Sequence, residues 1–435
     1  DEAALARHNL GADESEALYK FAVYDDINFD AEPIYFIAGR PIESHAYPTG
    51  RATRCFIVYH LADNRNVFMK DTWRIVAPDL VAEGRIYERL HKAEIPHIAE
   101  FILAGDIPGP AHKTVSKPGF GLQRQYQHYR FVLGTIGRPL TSFCSSWEMV
   151  NAVKDALIDM HLFCRYICDS ESNYTAHQQA FEKLQIMHQD ISVGNILITE
   201  DINGHLGGIL IDWDLCQLVD NLTKGSGSVE RTGTWQFISA KLLLDPAAPR
   251  TVTDELESFL HVLMWVTIMF TPTAMSPVRL ALILRLRYEE VWGDPEKPMG
   301  GLGKRTAIEG GMTSVKVFKL ASTNLDELLS PLYSSLGAWY GSELYFMLLE
   351  EDPPVAQTML DRLRDHNWML DLITKALQDR DAWPADNYAQ LNSVYKEREG
   401  PNRKQKSECE LENNRPVQRV RLPPDQDSCA RASLP

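Results

Sequence analysis

The chain has 435 residues, with 44 basic and 59 acidic side chains, so its formal net charge is −15. Apolar residues make up 44% and charged residues 24%, which is the balance of a globular protein with a sizeable core. The acidic balance argues against a nucleic-acid partner, because general nucleic-acid binders need a positive surface for phosphates. The seven cysteines form no CxxC pair, which fits a reducing compartment without a disulfide frame.

The hydropathy pattern gives no sign of a membrane protein. The first residues are polar and acidic, so we expect no signal peptide. The longest apolar run, Phe259 to Phe270, is interrupted by His261; it is too short for a bilayer and predicts a buried core helix. We therefore expect no membrane partner and an intracellular location, cytoplasmic or nuclear.

The first third of the chain predicts a small sheet lobe. Residues 1–32 are predicted as an acidic helical extension. Residues 33–136 contain the runs PIYFIAG, RCFIVYHL and NVFMKDTW, which favour strands, and a helical pattern over 79–94. After a Pro- and Gly-rich connector, 105–121, YRFVLGT predicts one more strand. This lobe is thus expected to be an antiparallel sheet with one helix.

The rest of the chain predicts a larger, mainly helical lobe over 137–386, so the expected fold class is α+β. Its first helical pattern is followed by a strand hairpin, NILITED and GGILIDWD, which turns at Asn203-Gly204. After Trp235 the pattern is helical nearly to the end of the lobe, interrupted by a Gly-rich stretch at 293–311. Residues 387–435 are polar and proline-containing and predict a disordered tail.

The stretch MHQDISVGNILI contains the side chains best suited to chemistry. Asp190 and Asn195 lie in a loop that leads into a strand, and Asp212 ends the next strand. Oxygen ligands at one edge of a hairpin can bind Mg²⁺, which prefers one or two carboxylates plus phosphate oxygens. Asp190 could then orient or deprotonate an attacking hydroxyl, the division of labour that phosphoryl transfer requires. The alternative is that Asp190 and Asp212 are only turn and strand-end residues.

At these residues the sequence resembles the protein-kinase-like superfamily. HQDISVGN stands where the catalytic loop HRD[LI]xxxN is expected, and DWD stands where DFG is expected. The resemblance is closest to the fungal-specific protein kinase family, whose typical stretches GNIL, LIDWD and RTGTWQF occur here. It implies a bilobal fold and an ATP- and Mg²⁺-dependent kinase of the Ser/Thr type, which transfers the γ-phosphate to a protein hydroxyl. The protein substrate is not indicated.

The resemblance implies a role for each matching residue of the larger lobe. Asp190 is the catalytic base, His188 supports its loop, and Asn195 and Asp212 are the Mg²⁺ ligands. In RTGTWQFISA, which looks like a peptide-docking segment, Thr234 matches the threonine that hydrogen-bonds the catalytic Asp.

The segment from Thr253 to Phe259, which opens the apolar helix, looks like the long central helix of the larger lobe and contains one further match. Asp254 matches a buried acid that holds the backbone amides of the catalytic loop. The alternative is an acid in the first helical turn, beside Thr253, which any helix start favours.

In the smaller lobe, Lys70 matches the strand lysine that binds the α- and β-phosphates. A strand lysine alone is more often a solvent-facing residue, but this one precedes a Glu-bearing amphipathic helix. Glu83 is the best match for the helix partner of Lys70, and Glu88 is the competitor. The other implied nucleotide contacts are Gly50 in the loop over the phosphates and, in the adenine hinge, Leu133 and Thr135.

Several positions depart from the general protein-kinase pattern: a single glycine in 43–53, Gln189 for arginine, Ser192 for lysine, Asp214 for glycine and Lys241 for glutamate. Two alternative functions therefore stay open. A small-molecule kinase of the aminoglycoside or choline phosphotransferase type is favoured by Ser192 and DWD. A pseudokinase scaffold is favoured by the poor glycine loop.

Overall fold

The computed structural model describes residues 2–28, 30–44, 51–77, 80–92, 94–114, 125–170, 186–200, 204–218, 233–294, 297–341, 347, 349–384 and 387–392. These residues form two compact units. The first consists of 1–137 with 212–214, and the second contains the other described residues from 138 onward. Antiparallel sheets and helices confirm the predicted α+β class. Within the described residues, no helix is both long and apolar enough to cross a bilayer.

The first unit is organised around one antiparallel sheet, built from runs of β-branched and aromatic residues that favour extended backbone. Its strands are β1 Tyr19–Val23, β2 Ile34–Ala38, β3 Glu43–Ser44, β4 Arg54–His60, β5 Arg65–Val76, β6 Phe101–Asp106 and β7 Gln125–Leu133. They lie in the order β1-β2-β4-β5-β7-β6, with β3 paired to β4. The helices of this unit are α1 Glu2–Leu10 and α2 Glu83–Lys92.

One face of the sheet forms an apolar core, to which β5 contributes Val67 and Met69. Because side chains alternate along a strand, Phe68 and Lys70 lie on the opposite face. The buried members of the core are Val23, Phe36, Ala38, Phe56, Val58, Val67, Met69, Leu103 and Val132.

Helix α2 packs closely on the sheet, with the ring of Tyr87 5.0 Å from that of Phe131. A Cβ added at Gly84 would lie 2.6 Å from the Cβ of Ala104, so glycine permits this close approach. The first residue of the helix, which precedes Gly84, is thereby held against the sheet.

Two predictions for this unit need correction. Residues 1–32 were expected to be helical, and this is confirmed for α1. It is wrong for Tyr19–Val23, which form β1 and pair with β2 along all five residues. Strand β6 was not predicted, and it forms because it pairs with β7. In both cases hydrogen bonds to a distant strand decide the backbone, and short-range patterns do not contain that information.

The second unit contains short antiparallel strands and most of the helices. Its strands are β8 Arg138–Pro139, β9 Ile186–Met187, β10 Ile196–Glu200, β11 Leu206–Leu210, β12 Gln217–Leu218, β13 Trp292–Asp294 and β14 Lys297–Met299. Its helices are α3 Ser146–Ser170, α4 Ala240–Leu244, α5 Val252–Phe270, α6 Pro277–Tyr288, α7 Leu302–Glu309, α8 Gly311–Lys316, α9 Thr323–Gly337, α10 Pro353–Arg362 and α11 Asn367–Leu377.

Helix α5 is the buried core helix that the apolar run predicted, since its residues from Val252 to Met269 are all buried. It begins with a capping box in which Thr251 and Asp254 satisfy each other's backbone amides. The predicted hairpin is also confirmed: β10 and β11 pair in register from Ile196 opposite Leu210 to Glu200 opposite Leu206.

Two further expectations change in the second unit. The Gly-rich stretch 293–311 contains the β13–β14 hairpin and helix α7. The predicted tail begins with packed residues: the amides of Ala389 and Asn392 donate to the carbonyls of Phe143 and Met269, each at 2.9 Å. These hydrogen bonds attach the segment 387–392 to the rest of the second unit. The tail beyond 392 lies outside the described residues.

Candidate active site

A buried lysine ammonium in the first unit contacts three carboxylates. The side chain of Lys70 on β5 is only 10% exposed. Its Nζ lies 2.9 Å from Glu83 Oε2, 2.5 Å from Asp212 Oδ1 and 3.2 Å from Asp214 Oδ2. The two aspartates are 142 and 144 positions away in the sequence. The structure therefore brings together Lys70, Glu83 and Asp212, which the sequence proposed, and adds Asp214.

The helix partner of Lys70 is Glu83 and not Glu88. Five positions along an α-helix turn the side chain by about 140°, so the two acids face different directions. Glu83 is buried beside Lys70, whereas Glu88 is 43% exposed and pairs with Arg85 at 3.1 Å. The phase of helix α2 thus settles a choice that the sequence left open.

The Asp212-Trp213-Asp214 turn directs two carboxylates to the same ammonium. Asp212 has a φ of 69°, in the left-handed region that Asp tolerates better than most residues with a side chain. Trp213 is fully buried between the two acids. Asp214, which stands where the DFG motif of the wider protein-kinase superfamily has glycine, also pairs with the guanidinium of Arg51. The pairing of Asp214 was missed, and only its spacing of two residues from Asp212 hinted at it.

The pKa values of Lys70 and Glu83 are both raised, but for different reasons. Burial is the largest influence on Glu83 and, against the attraction of Lys70, raises its pKa to about 7. Burial lowers the pKa of Lys70, but the carboxylates of Asp212, Asp214 and Glu83 outweigh it and hold that pKa well above its usual value. The ammonium is therefore charged at neutral pH and is the electrostatic centre of this cluster.

The same carboxylates fit a divalent cation. Glu83, Asp212 and Asp214 each offer an oxygen, and these oxygens lie within 4.8 Å of one another. Asp212 is the most accessible of the three, with 34% of its side chain exposed. Carboxylate oxygens are the type of donor that Mg²⁺ prefers. The other predicted ligand, Asn195, belongs to the second unit.

The predicted nucleotide contacts Leu133 and Thr135 lie at and just after the end of β7, where hydrogen bonds hold the backbone. Leu133 is buried and closes the strand. The amide of Gly134 donates to the carbonyl of Glu100 at 2.7 Å, and the Glu100 amide donates to Thr135 Oγ1 at 2.8 Å. These bonds fix the backbone that the family resemblance assigns to adenine. Gly50 lies outside the described residues.

The carboxylate of Asp190, in the second unit, is held on both of its oxygens. Oδ1 accepts hydrogen bonds from the Thr234 amide and from Thr234 Oγ1, both at 2.8 Å. Asn195 Nδ2 lies 3.3 Å from Oδ2 and donates to the Asp190 carbonyl at 2.8 Å. The structure thus brings Asp190, Asn195 and Thr234 together. A carboxylate with this fixed orientation can accept a proton from a hydroxyl. Of the docking segment, 233–240 is described, and 231–232 lies outside the described residues.

The loop before Asp190 is anchored by Glu255, not by Asp254 as the resemblance implied. Glu255 Oε2 accepts from the His188 amide at 3.2 Å, and both of its oxygens lie 3.3 Å from the Gln189 amide. Arg250 Nη1 lies 3.2 Å from Glu255 and donates to the Gln189 carbonyl at 2.8 Å. Glu255 therefore performs the role assigned to its neighbour.

Asp254 instead has the alternative role, an acid of the first helical turn. It bonds Thr251 in the capping box, accepts from Ser239 Oγ at 2.6 Å and pairs with Lys241 at 2.8 Å. Adjacent helix residues point about 100° apart, so only one of two neighbouring acids can face the loop. Sequence reasoning missed Glu255 because the motif alone does not give the phase of the helix.

Replacing Glu255 by glutamine is expected to destabilise the protein by about 2 kcal/mol, because hydrogen bonds to a buried charge are lost and Arg250 is left without its anion. Urea unfolding measures the effect. Glu327→Gln, at an exposed position of α9, is the matched control and is expected to change little. An equal effect of the two substitutions would contradict the anchoring role.

Comparison with known proteins agrees with the motifs. Residues 112–267, a little over a third of the chain, match the family model described as fungal protein kinase. The match includes Asp190, Asn195, Asp212 and Thr234, whereas Lys70 precedes it. It confirms the resemblance to a fungal-type protein kinase family and supports a kinase, a class of transferase that uses ATP and usually Mg²⁺. A search of curated proteins found no match.

Proposed function

We propose that the chain is an ATP- and Mg²⁺-dependent protein kinase of the Ser/Thr type with a bilobal protein-kinase-like fold. The observation that carries the proposal is the Lys70 ammonium, charged and buried among Glu83, Asp212 and Asp214. A charged amine for the phosphates beside carboxylates, the donor type that Mg²⁺ prefers, meets the needs of a nucleoside triphosphate. An ordinary structural ion pair needs only one carboxylate.

Each group has a separate task in this proposal. Lys70 binds the α- and β-phosphates, and Glu83 keeps its ammonium in place. Asp212 and Asn195 would hold Mg²⁺, which neutralises charge on the phosphates when it is bound. These tasks follow the family resemblance, and the contacts of Lys70 with Glu83 and Asp212 support them.

Asp190 is proposed to act on the substrate. As the substrate hydroxyl oxygen bonds to the γ-phosphorus, its proton passes to the Asp190 carboxylate. The bond from the γ-phosphorus to the bridging oxygen breaks, and ADP leaves. Thr234 and Asn195 keep the carboxylate in one orientation during this step. The contact with Thr234 favours a protein substrate, because Thr234 belongs to the segment that resembles a peptide-docking loop.

A labelling assay tests the proposed function. We expect the purified chain with γ-labelled ATP and Mg²⁺ to label itself or a generic basic protein on Ser or Thr, and EDTA to stop the reaction. Choline and an aminoglycoside are offered in parallel as small acceptors. Label on either small acceptor alone would indicate the small-molecule kinase instead. A thermal shift with ATP but no label would indicate the scaffold. If the chain gave no thermal shift and no label, nucleotide binding itself would be contradicted.

A further inference from the structure

A second buried lysine, Lys304, lies in the second unit. Lys304, in the first turns of α7, is only 1% exposed. Its Nζ donates to the backbone carbonyl of Ile238 at 2.6 Å and to that of Trp235 at 3.1 Å. Burying an amine is costly unless it is hydrogen-bonded, so these two contacts are needed for the side chain to lie there. They connect α7 directly to the segment that contains Thr234.

The two carbonyls belong to the turn that positions Thr234. The Thr234 carbonyl accepts from the amides of Phe237 at 2.8 Å and Ile238 at 3.2 Å, which closes the turn. At its start, the amide and hydroxyl of Thr234 donate to Asp190. A displacement of the Trp235 or Ile238 carbonyl therefore moves the donors that hold the Asp190 carboxylate.

A close backbone approach brings α7 to this turn. Gly301, the N-cap of α7, has a φ of 91°, and a Cβ there would lie 2.9 Å from the Ala240 carbonyl oxygen. The Gly300 amide donates to the Leu243 carbonyl at 3.1 Å. The Gly-rich stretch thus lets its backbone lie against α4, immediately after the turn. Its composition alone did not indicate this role.

Acidic and aromatic side chains act on the amine of Lys304. Burial lowers the pKa of Lys304 to about 7, against the attraction of Glu257 on α5 and Glu290 after α6. His261 also faces this region, and the Tyr288 ring centroid lies 5.9 Å from Nζ. Glu257 itself accepts from the Ala240 amide at 2.7 Å. Both the charged and the neutral amine keep N–H donors for the two carbonyls, so the contact does not depend on the charge.

We propose that Lys304 is a positioning residue, which holds the turn 234–238 so that Thr234 stays bonded to Asp190. Its effect on phosphoryl transfer rests on the proposed kinase function. Its effect on the turn does not, because the contacts with Trp235 and Ile238 are independent of any substrate. The two parts can therefore be tested separately.

Hydrogen exchange tests the structural part in the intact chain. Lys304→Met replaces the lysine by an apolar side chain of similar length that has no N–H donor. In this variant the amides of 233–243 are expected to exchange at least about tenfold faster. The amides of 252–270 are expected to keep their wild-type rates, because α5 is held by its own buried contacts. Lys297→Met, the same change at an exposed position of β14, is the control and is expected to leave both segments unchanged.

Kinetics test the catalytic part. We expect Lys304→Met to lower kcat about tenfold and to leave KM for ATP within twofold. The double variant Lys304→Met, Thr234→Ala is expected to lose little more activity than Thr234→Ala alone, because both substitutions act through one contact. A lysine that only stabilised the fold would give additive losses. If Lys304→Met does not fold, the same measurements are made on Lys304→Gln, which has an N–H donor on a shorter side chain.

The outcomes separate the two proposals. Unchanged exchange over 233–243, or additive losses in the double variant, would overturn the positioning role. Faster exchange in Lys304→Met together with an inactive wild type would support Lys304 as the residue that holds the turn and would contradict the proposed kinase function alone.

Discussion

The Asp190→Asn variant is expected to label protein substrate about 10²–10⁴ times more slowly than the wild type. Asparagine keeps the size of the side chain, and its carbonyl oxygen can still accept from the Thr234 amide and hydroxyl. It cannot accept a proton from the substrate hydroxyl. The initial rate of labelling, measured at saturating ATP and Mg²⁺, therefore isolates the loss of the base.

Two controls accompany this variant. The thermal shift caused by ATP is expected to persist in Asp190→Asn, because Asp190 is not proposed to bind the nucleotide. Asp371→Asn, at an exposed position of α11, is the matched change and is expected to keep the full rate. A labelling rate that survives in Asp190→Asn would remove the proposed base from the mechanism.

The Lys70→Met variant is expected to lose about 2 kcal/mol of unfolding free energy, because Asp212 and Asp214 lose the cation that they share and the buried Glu83, with its pKa already near 7, must take up a proton. The repulsion of Asp212 and Asp214 then acts on the same site without the ammonium between them. Loss of the phosphate contact is expected to abolish the thermal shift caused by ATP. Urea unfolding and a thermal-shift titration measure the two effects.

A second substitution distinguishes charge from packing at this site. Adding Glu83→Gln to Lys70→Met removes the buried carboxyl that must otherwise be protonated and is expected to recover part of the lost stability, more at pH 8 than at pH 6. Lys92→Met, at an exposed position in the last turn of α2, is the matched control and is expected to have little effect. If Lys70→Met were as stable as Lys92→Met, the buried ion cluster would not be the feature that holds the site together.

The secondary structure near the site followed largely from local patterns. β4 and β5 were predicted from their Ile, Val, Phe and Tyr content, and the β10–β11 hairpin was predicted from two apolar runs around Asn203-Gly204. β1 and β6 did not follow, because their strand conformation depends on β2 and β7. Strand propensity was sufficient to predict the strands where it was strong. Where it was weak, pairing with another strand determined the backbone conformation.

The candidate site shows the same division. Asp190, Asn195 and Asp212 were proposed as site residues because their order around a strand hairpin forms a motif within 23 residues of the chain. Glu255 was missed because Asp254 and Glu255 are neighbours, and only the phase of α5 decides which one faces the loop. Asp214 was missed as a partner of Lys70 because comparison with the DFG motif shows only that the glycine is absent, not which group the aspartate contacts.

The order of the amino acids by itself determined the α+β class, the hairpin with its acid and amide groups, and the resemblance to a kinase family that residues 112–267 confirm. These features depend on neighbouring residues and on short spacings. Only the tertiary structure decided that Lys70 faces three carboxylates and that Lys304 supports the turn at Thr234. Those contacts join groups up to 144 positions apart, and their energies depend on burial, which no local pattern contains.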